Sequence, residues 1–185
     1  MSGLSDHLAN KHAGFRSPSA WVTRWADMVP PGTPVLDLAC GNGRHGRFFL
    51  ERGHPTLFVD KDLSAVSDLP KGNGISLMEV DLEDGSPFPL TGRQFGGIIV
   101  TCYLHRPILP AIVNAIAPGG ALIYETFARG NEAYGHPARE SYLLEEGELL
   151  RAVDGVLTVR AYEHGYDAHP KPGIRQRICA YRPID

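Results

Sequence analysis

The sequence predicts a doubly wound α/β domain, a mostly parallel seven-stranded sheet with helices on both faces and a C-terminal antiparallel strand pair. Three observations carry that expectation. Strand-sized apolar runs alternate with segments of helical periodicity, the first run hands over to a glycine-rich turn, and the chain closes on two strand-like runs with no helix between them. At 185 residues, 43% hydrophobic and 21% charged, the chain has the length and composition of one globular domain able to bury its own core.

Residues 1–16 are polar and read as a flexible tail. Ser17 and Pro18 follow as an N-cap and a first helical proline, and Trp21, Val22, Trp25 and Met28 recur at helical spacing until Pro30, Pro31 and Gly32 stop the helix. The run 35–39 is a buried strand, 43–52 a helix closed by Gly53, and 57–60 a second strand. A short helix over 64–69 leads to a third strand at 75–80. The fourth strand covers 97–101, a helix 107–116, and the fifth strand 121–126. After a polar stretch to Tyr142 come a short helix at 147–152 and strands at 156–162 and 175–181. These two, being adjacent with no crossover helix, should pair antiparallel.

The densest chemical signal is the decapeptide 37–46, DLACGNGRHG, between the first strand and its helix. Gly41, Gly43 and Gly46 match the GxGxxG nucleotide fingerprint, so a nicotinamide-dependent oxidoreductase has to be considered. Asp37 argues against it, because a carboxylate at this place sets like charge beside a pyrophosphate. S-adenosylmethionine instead brings a cationic ammonium and sulfonium, which an acid beside a close-approach glycine turn favours. Asp60 ends the second strand, where a carboxylate accepts from ribose hydroxyls; Asp81 ends the third, placed to accept from an adenine amino group while Leu82 packs on the ring. Cys40 reads as a small packed residue of the turn rather than a nucleophile.

Residues 35–43 resemble motif I of the class I S-adenosylmethionine-dependent methyltransferases, with Asp60, Asp81 and 101–103 at the successive positions of their later motifs. The form of the turn is similar to that of bacterial methyltransferases of the tellurite-resistance-like, small-molecule group, and the trailing strand pair resembles the strands that separate this Rossmann-like fold from dehydrogenases. The resemblance covers about 34–127. It implies a methyltransferase with S-adenosylmethionine as cofactor, held by Asp37, Ala39, Cys40, Gly41, Gly43, Asp60, Lys61, Asp81, Leu82 and Thr101.

The acceptor side is less marked. Residues 101–106 read TCYLHR, which departs from the Asn/Asp-Pro-Pro-Tyr/Phe signature of enzymes that methylate nucleobase or glutamine amino groups. Tyr103 is a candidate π face for the sulfonium and His105 a candidate base. With Glu125, at the end of the fifth strand, they form the catalytic set. The stretch 127–142 is the lid candidate, and Tyr103, His105, Glu125 and 129–139 are expected to form one pocket. Phe15, Arg16, Ser17 and Trp21 are placed to close it from the other side. No room is left for a target-recognition domain, which points to a small-molecule acceptor; a non-catalytic or partner-dependent S-adenosylmethionine-binding protein is the alternative reading.

Formal charge is −3, giving no general attraction to nucleic acid or to anionic membranes. No apolar run approaches the roughly 20 residues that span a bilayer. The start of the chain lacks an apolar signal core, and the three cysteines are scattered, so a reducing, cytoplasmic setting without disulfides is expected. The eight histidines show no HExxH-like spacing, so no metal site is expected. No oligomeric state is specified.

Overall fold

The computed structural model describes residues 17–70 and 72–184. The expectations placed on 1–16, including Phe15 and Arg16, lie outside the described residues. Seven strands form one sheet in the order β3-β2-β1-β4-β5-β7-β6. They are β1 (Val35–Leu38), β2 (Thr56–Asp60), β3 (Ile75–Glu79), β4 (Phe95–Thr101), β5 (Ile116–Phe127), β6 (Thr158–Asp167) and β7 (Gly173–Tyr181). The first five run parallel. β7 is antiparallel to both β5 and β6, inserting between them with Ile123 opposite Cys179 and Tyr162 opposite Ile178.

The period of two along each strand divides the core between the faces. Leu36, Leu38, Ile98, Val100, Leu122, Tyr124, Ile178 and Ala180 point to one side, where α3 (Leu109–Asn114) contributes Ile112 and Val113 and α4 (Glu148–Val153) contributes Leu149 and Val153. Val35, Ile99, Ile123 and Cys179 point to the other, covered by Trp21 and Val22 of α1 (Ala20–Trp25) and Phe49 of α2 (Arg44–Glu51). Runs apolar at every position are what a sheet covered on both faces requires.

Several boundaries differ from the sequence reading. The cap of α1 is Ser19, whose hydroxyl accepts from the amides of Trp21 and Val22, and not Ser17. The segment after Leu63 makes one 3-10 turn, Ser64–Val66, in place of a helix over 64–69. The expected helix at 107–116 opens as a 3-10 turn, Arg106–Ile108, and is α-helical only over Leu109–Asn114. β6 starts later than expected and runs five residues past Tyr162. Its added residues are exposed or half-exposed, so no apolar alternation marks them; the ladder to β7, ending at Asp167 opposite Gly173, holds them extended. The stretch 127–142 is tied down by two 3-10 turns, Asn131–Ala133 and Glu140–Tyr142. Buried Asn131 bridges the Pro137 carbonyl at 2.8 Å and the Ile174 amide at 3.2 Å.

Candidate active site

Strand order reverses between β1 and β4, and the crevice at such a switch point is where open α/β sheets bind ligands. The turn after β1 stands at one side of it. Ala39 adopts φ 53° and Gly43 φ 69°, the latter heading α2. A Cβ at Gly43 would lie 2.6 Å from Val66 Cγ1, so both conformation and space require glycine there. A Cβ at Gly46 would lie 2.2 Å from the Phe58 ring, so the third glycine of the fingerprint serves helix-to-strand packing rather than ligand approach.

Two carboxylates fix this turn. Asp60 Oδ2 accepts from the Gly41 amide at 2.8 Å, and its Oδ1 from Asp62 at 3.2 Å, locking the end of β2 to the loop from β1. Asp37, only 2% exposed, accepts at Oδ2 from the Gly46 amide at 2.7 Å. Burial pushes its carboxyl up to about 7; the Asp60 carboxylate adds to the rise, while the Gly46 amide and Arg44 guanidinium oppose it. The Arg44 amide is met by Asn42 Oδ1 at 3.2 Å. Two of the amides at the head of α2 are thus satisfied by Asp37 and Asn42, and a helix N-terminus engaged in this way is a poor seat for a pyrophosphate.

His45 was not singled out by its sequence, yet it is buried between two elements of the crevice. Its Nε2 accepts from the Ser19 amide at 3.2 Å, so the neutral ring carries its proton on Nδ1, which faces Thr101 Oγ1 at 3.4 Å. Burial, aided by Arg44, drives its pKa down to about 3. The imidazole therefore couples the cap of α1, the head of α2 and the end of β4. Arg44 Nη1 adds a second tie, donating to the Ser17 carbonyl at 3.2 Å.

Cys40 packs with Phe58 and Val66, and burial pushes its thiol up, first through desolvation and then through Asp37 and Asp60, which leaves it inert. Leu82 belongs to the main core. Asp81 is exposed and accepts from the Glu83 amide at 2.9 Å; Lys61 is exposed beside Asp60. The Tyr103 hydroxyl is buried and meets no partner at normal hydrogen-bond geometry among the described residues. Desolvation, then the Glu83 and Asp81 carboxylates, push its pKa up, which places the ring toward the ends of β2 and β3.

A cavity of about 710 Å³ opens between α1 and the β6–β7 hairpin, a volume suited to a small ligand. Cys102, at the end of β4 with φ 54°, and Arg44 line it where it meets the glycine turn. Trp21, Glu125, Phe127 and His136 also line it. Tyr103, His105 and Arg129 do not, which corrects the expectation of a single pocket. Tyr103 leans to the other side of the crevice, His105 precedes the 3-10 turn Arg106–Ile108, and Arg129 is held away by Glu140 at 2.8 Å and Glu145 at 3.0 Å. The far wall, with Glu163, Asp167, Lys171, Arg175 and Arg177, was missed. Its one legible signal was Arg175 and Arg177 at strand spacing, two arginines on one face of a strand otherwise read as core.

No protein-family model matches the sequence, and no curated relative does either. Solved structures resemble it in fold. TehB from Haemophilus influenzae is 17% identical with a TM-score of 0.69, over 96% of this chain and 66% of that one, so this chain spans just under two thirds of its length. A TehB-like SAM-dependent methyltransferase from Corynebacterium glutamicum is 19% identical with a TM-score of 0.64, over 96% of this chain and 95% of that one. The 1,6-didemethyltoxoflavin-N1-methyltransferase of Burkholderia thailandensis, solved with 1,6-didemethyltoxoflavin and S-adenosylhomocysteine, is 18% identical with a TM-score of 0.69, over 98% of this chain and 83% of that one. The parallel core, the switch point between β1 and β4 and the antiparallel β7 between β5 and β6 give this chain the fold of the S-adenosylmethionine-dependent methyltransferases.

Proposed function

We propose that this chain is an S-adenosylmethionine-dependent methyltransferase acting on a small-molecule acceptor. The observation that carries the reading is the Asp37 carboxyl buried behind the glycine turn, bonded to the Gly46 amide that a phosphate ligand needs and held near pKa 7. A cationic group beside it draws out the ionised form, whereas an anion meets both the carboxylate and a helix end already engaged. When bound, S-adenosylmethionine supplies an electrophilic methyl group for in-line displacement.

The turn from Ala39 to Gly43 offers backbone at close range, with Cys40 and Gly41 between them. Asp60 retains lone pairs for the ribose hydroxyls, and its bond to Gly41 sets their distance from the turn. Asp81 and Leu82 hold the base, Lys61 flanks the ribose, and Tyr103 sides with them on the adenosyl half rather than over the methyl group. Thr101 positions the end of β4 through His45. Acceptor enters from the cavity beside Cys102, under the stretch 127–142, which supplies Phe127 and His136 to the wall and acts as its cover.

Glu125 accepts from Arg177 Nε at 2.9 Å, so it orients the cavity's charges and is not a free base. His105, outside the cavity, takes no proton from the acceptor. Catalysis on this reading rests on alignment and exclusion of water. Among the described residues no helix is long and apolar enough to cross a membrane. A cytoplasmic setting suits the three free cysteines.

The test is ligand-induced stabilisation. S-adenosylhomocysteine is expected to raise the melting temperature, while NAD and NADP leave it unchanged. Asp60→Ala is expected to weaken S-adenosylhomocysteine by about 1–3 kcal/mol, the cost of leaving buried hydroxyls unpaired. Equal stabilisation by NAD overturns the assignment.

A further inference from the structure

Five cationic side chains, Arg24, Arg44, Lys171, Arg175 and Arg177, line the cavity against three carboxylates, Glu125, Glu163 and Asp167. The carboxylates are all engaged by Arg177. It donates from Nε to Glu125 at 2.9 Å, pairs through Nη1 with Glu163 at 3.6 Å, and donates from Nη2 to Asp167. Arg24 shares Glu163 at 3.2 Å. Among the described residues no carboxylate pairs at bonding distance with Arg175 or Lys171; Asp167, whose charge Arg175 feels, is already bonded to Arg177.

Arg175 is the anomaly. It is only 6% exposed; Nη2 donates to the Lys171 carbonyl at 2.9 Å, the guanidinium lies 4.7 Å from the centroid of the Phe127 ring, and Nη1 is buried without a hydrogen-bond partner among the described residues. A buried guanidinium whose one nearby carboxylate is bonded to another arginine is costly, and the usual compensation is a further anion. Lys171, whose ammonium donates to the His136 carbonyl at 3.3 Å, stands next to it. The rest of the lining includes Pro18, Trp21, Phe127 and Pro170, and the volume far exceeds an inorganic anion.

We propose that the acceptor is an organic acid, its carboxylate held by Arg175 and Lys171 and its apolar body laid against Trp21 and Phe127. The inference rests on the methyltransferase reading for the word acceptor; the anion site itself does not. In this arrangement Arg175 is a specificity-determining residue. It ranks acids above their neutral analogues and points the far end of the ligand toward Cys102, where the cavity meets the glycine turn.

The test uses the full chain saturated with S-adenosylhomocysteine and ligand-observed NMR against a panel of small aromatic and aliphatic carboxylic acids, each with its matched primary amide, plus inorganic phosphate. At least one acid is expected to bind ten-fold or more tightly than its amide, with affinity lost ten-fold or more in Arg175→Gln and only partly restored in Arg175→Lys, which keeps the charge without the planar fork. Lys171→Gln, an exposed change that leaves the core intact, is expected to weaken the same acid several-fold. Amides binding as well as acids, no acid binding at all, or Lys171→Gln and a folded Arg175→Gln both binding as wild type overturns the proposal; phosphate binding as tightly as the best acid overturns its organic part. The S-adenosylhomocysteine melting shift, measured beside these, separates the two readings. If the shift is present and no acid binds, the acceptor class falls while the methyltransferase stands. If acids bind at Arg175 and the shift is absent, the anion site stands while the methyltransferase falls.

Discussion

The two sides of the crevice manage charge differently. Around the glycine turn, Asp37, Asp60 and His45 each have backbone partners supplied by the fold itself: Gly46, Gly41 and Ser19. Across the cavity, side chains answer side chains, with Arg177 bonded to three carboxylates while Arg175, among the described residues, bonds only a carbonyl, lies over a ring face and keeps one nitrogen without a hydrogen-bond partner. A site bonded to backbone is complete before any ligand arrives and keeps one geometry. A site built of paired side chains with one charge unanswered is complete only with its ligand, and its specificity can change by exchanging a single residue.

The largest effect that can break this contrast is electrostatic. Asp37 has its pKa raised from the ordinary 3.8 to about 7, so the folded state holds an extra proton between those values and loses stability as pH rises from about 4 to 7, by about 4 kcal/mol in all. His45 is lowered from 6.5 to about 3, so the unfolded state holds the extra proton and stability is lost as pH falls from 6.5 toward 3, by about 5 kcal/mol. The two nearly cancel between about pH 4 and 6.5. Chemical denaturation should show Asp37→Asn gaining on wild type as pH rises through that window, and His45→Gln gaining on wild type as pH falls through it. Variants that track wild type at a constant offset would mean that these groups are not buried in the forms described.

A smaller effect tests whether the turn is rigid. Gly46→Ala drives a methyl into the Phe58 ring and should cost about 1–3 kcal/mol, with part restored when Phe58→Leu is added. Strict additivity of the two changes in denaturant melts would show that the ring moves freely and that the third glycine has another purpose. The smallest effect sharpens the corner where both regions meet. Ser19→Ala should cost about 1 kcal/mol through loss of its cap on Trp21 and Val22, whereas Ser17→Ala should be neutral. Equal losses at both positions would move the cap back to where the sequence first placed it.

Legibility differs between the same two regions. The place of the turn was readable because glycine positions carry their conformational meaning in any context, but the bonds of its acids were not: the sequence offered Asp37 and Asp60 to a ligand and did not show that they accept from Gly46, nine residues on, and Gly41, nineteen residues back. Tyr103 and His105 were drawn toward the acceptor because a strand end says how far a side chain reaches but not to which side of the crevice it leans. The cavity's far wall escaped because it pairs residues remote in sequence. Arg177 meets Glu125 across 52 residues, Arg24 meets Glu163 across 139, and Trp21 Nε1 donates to the Ile178 carbonyl across 157. The polar half of β6 carries no periodic apolar signal to announce it as strand.

By itself the sequence determined the fold class, the order of the parallel strands' elements and the place of the glycine turn, because apolar period and glycine conformation are local properties written in consecutive residues. Only the tertiary structure decided which charges neutralise one another, that His45 ties Ser19 to Thr101, and that Arg175 pairs at bonding distance with no carboxylate among the described residues, because burial and pairing are properties of residues brought together from distant parts of the chain, and a charge's partner is fixed by distance in space.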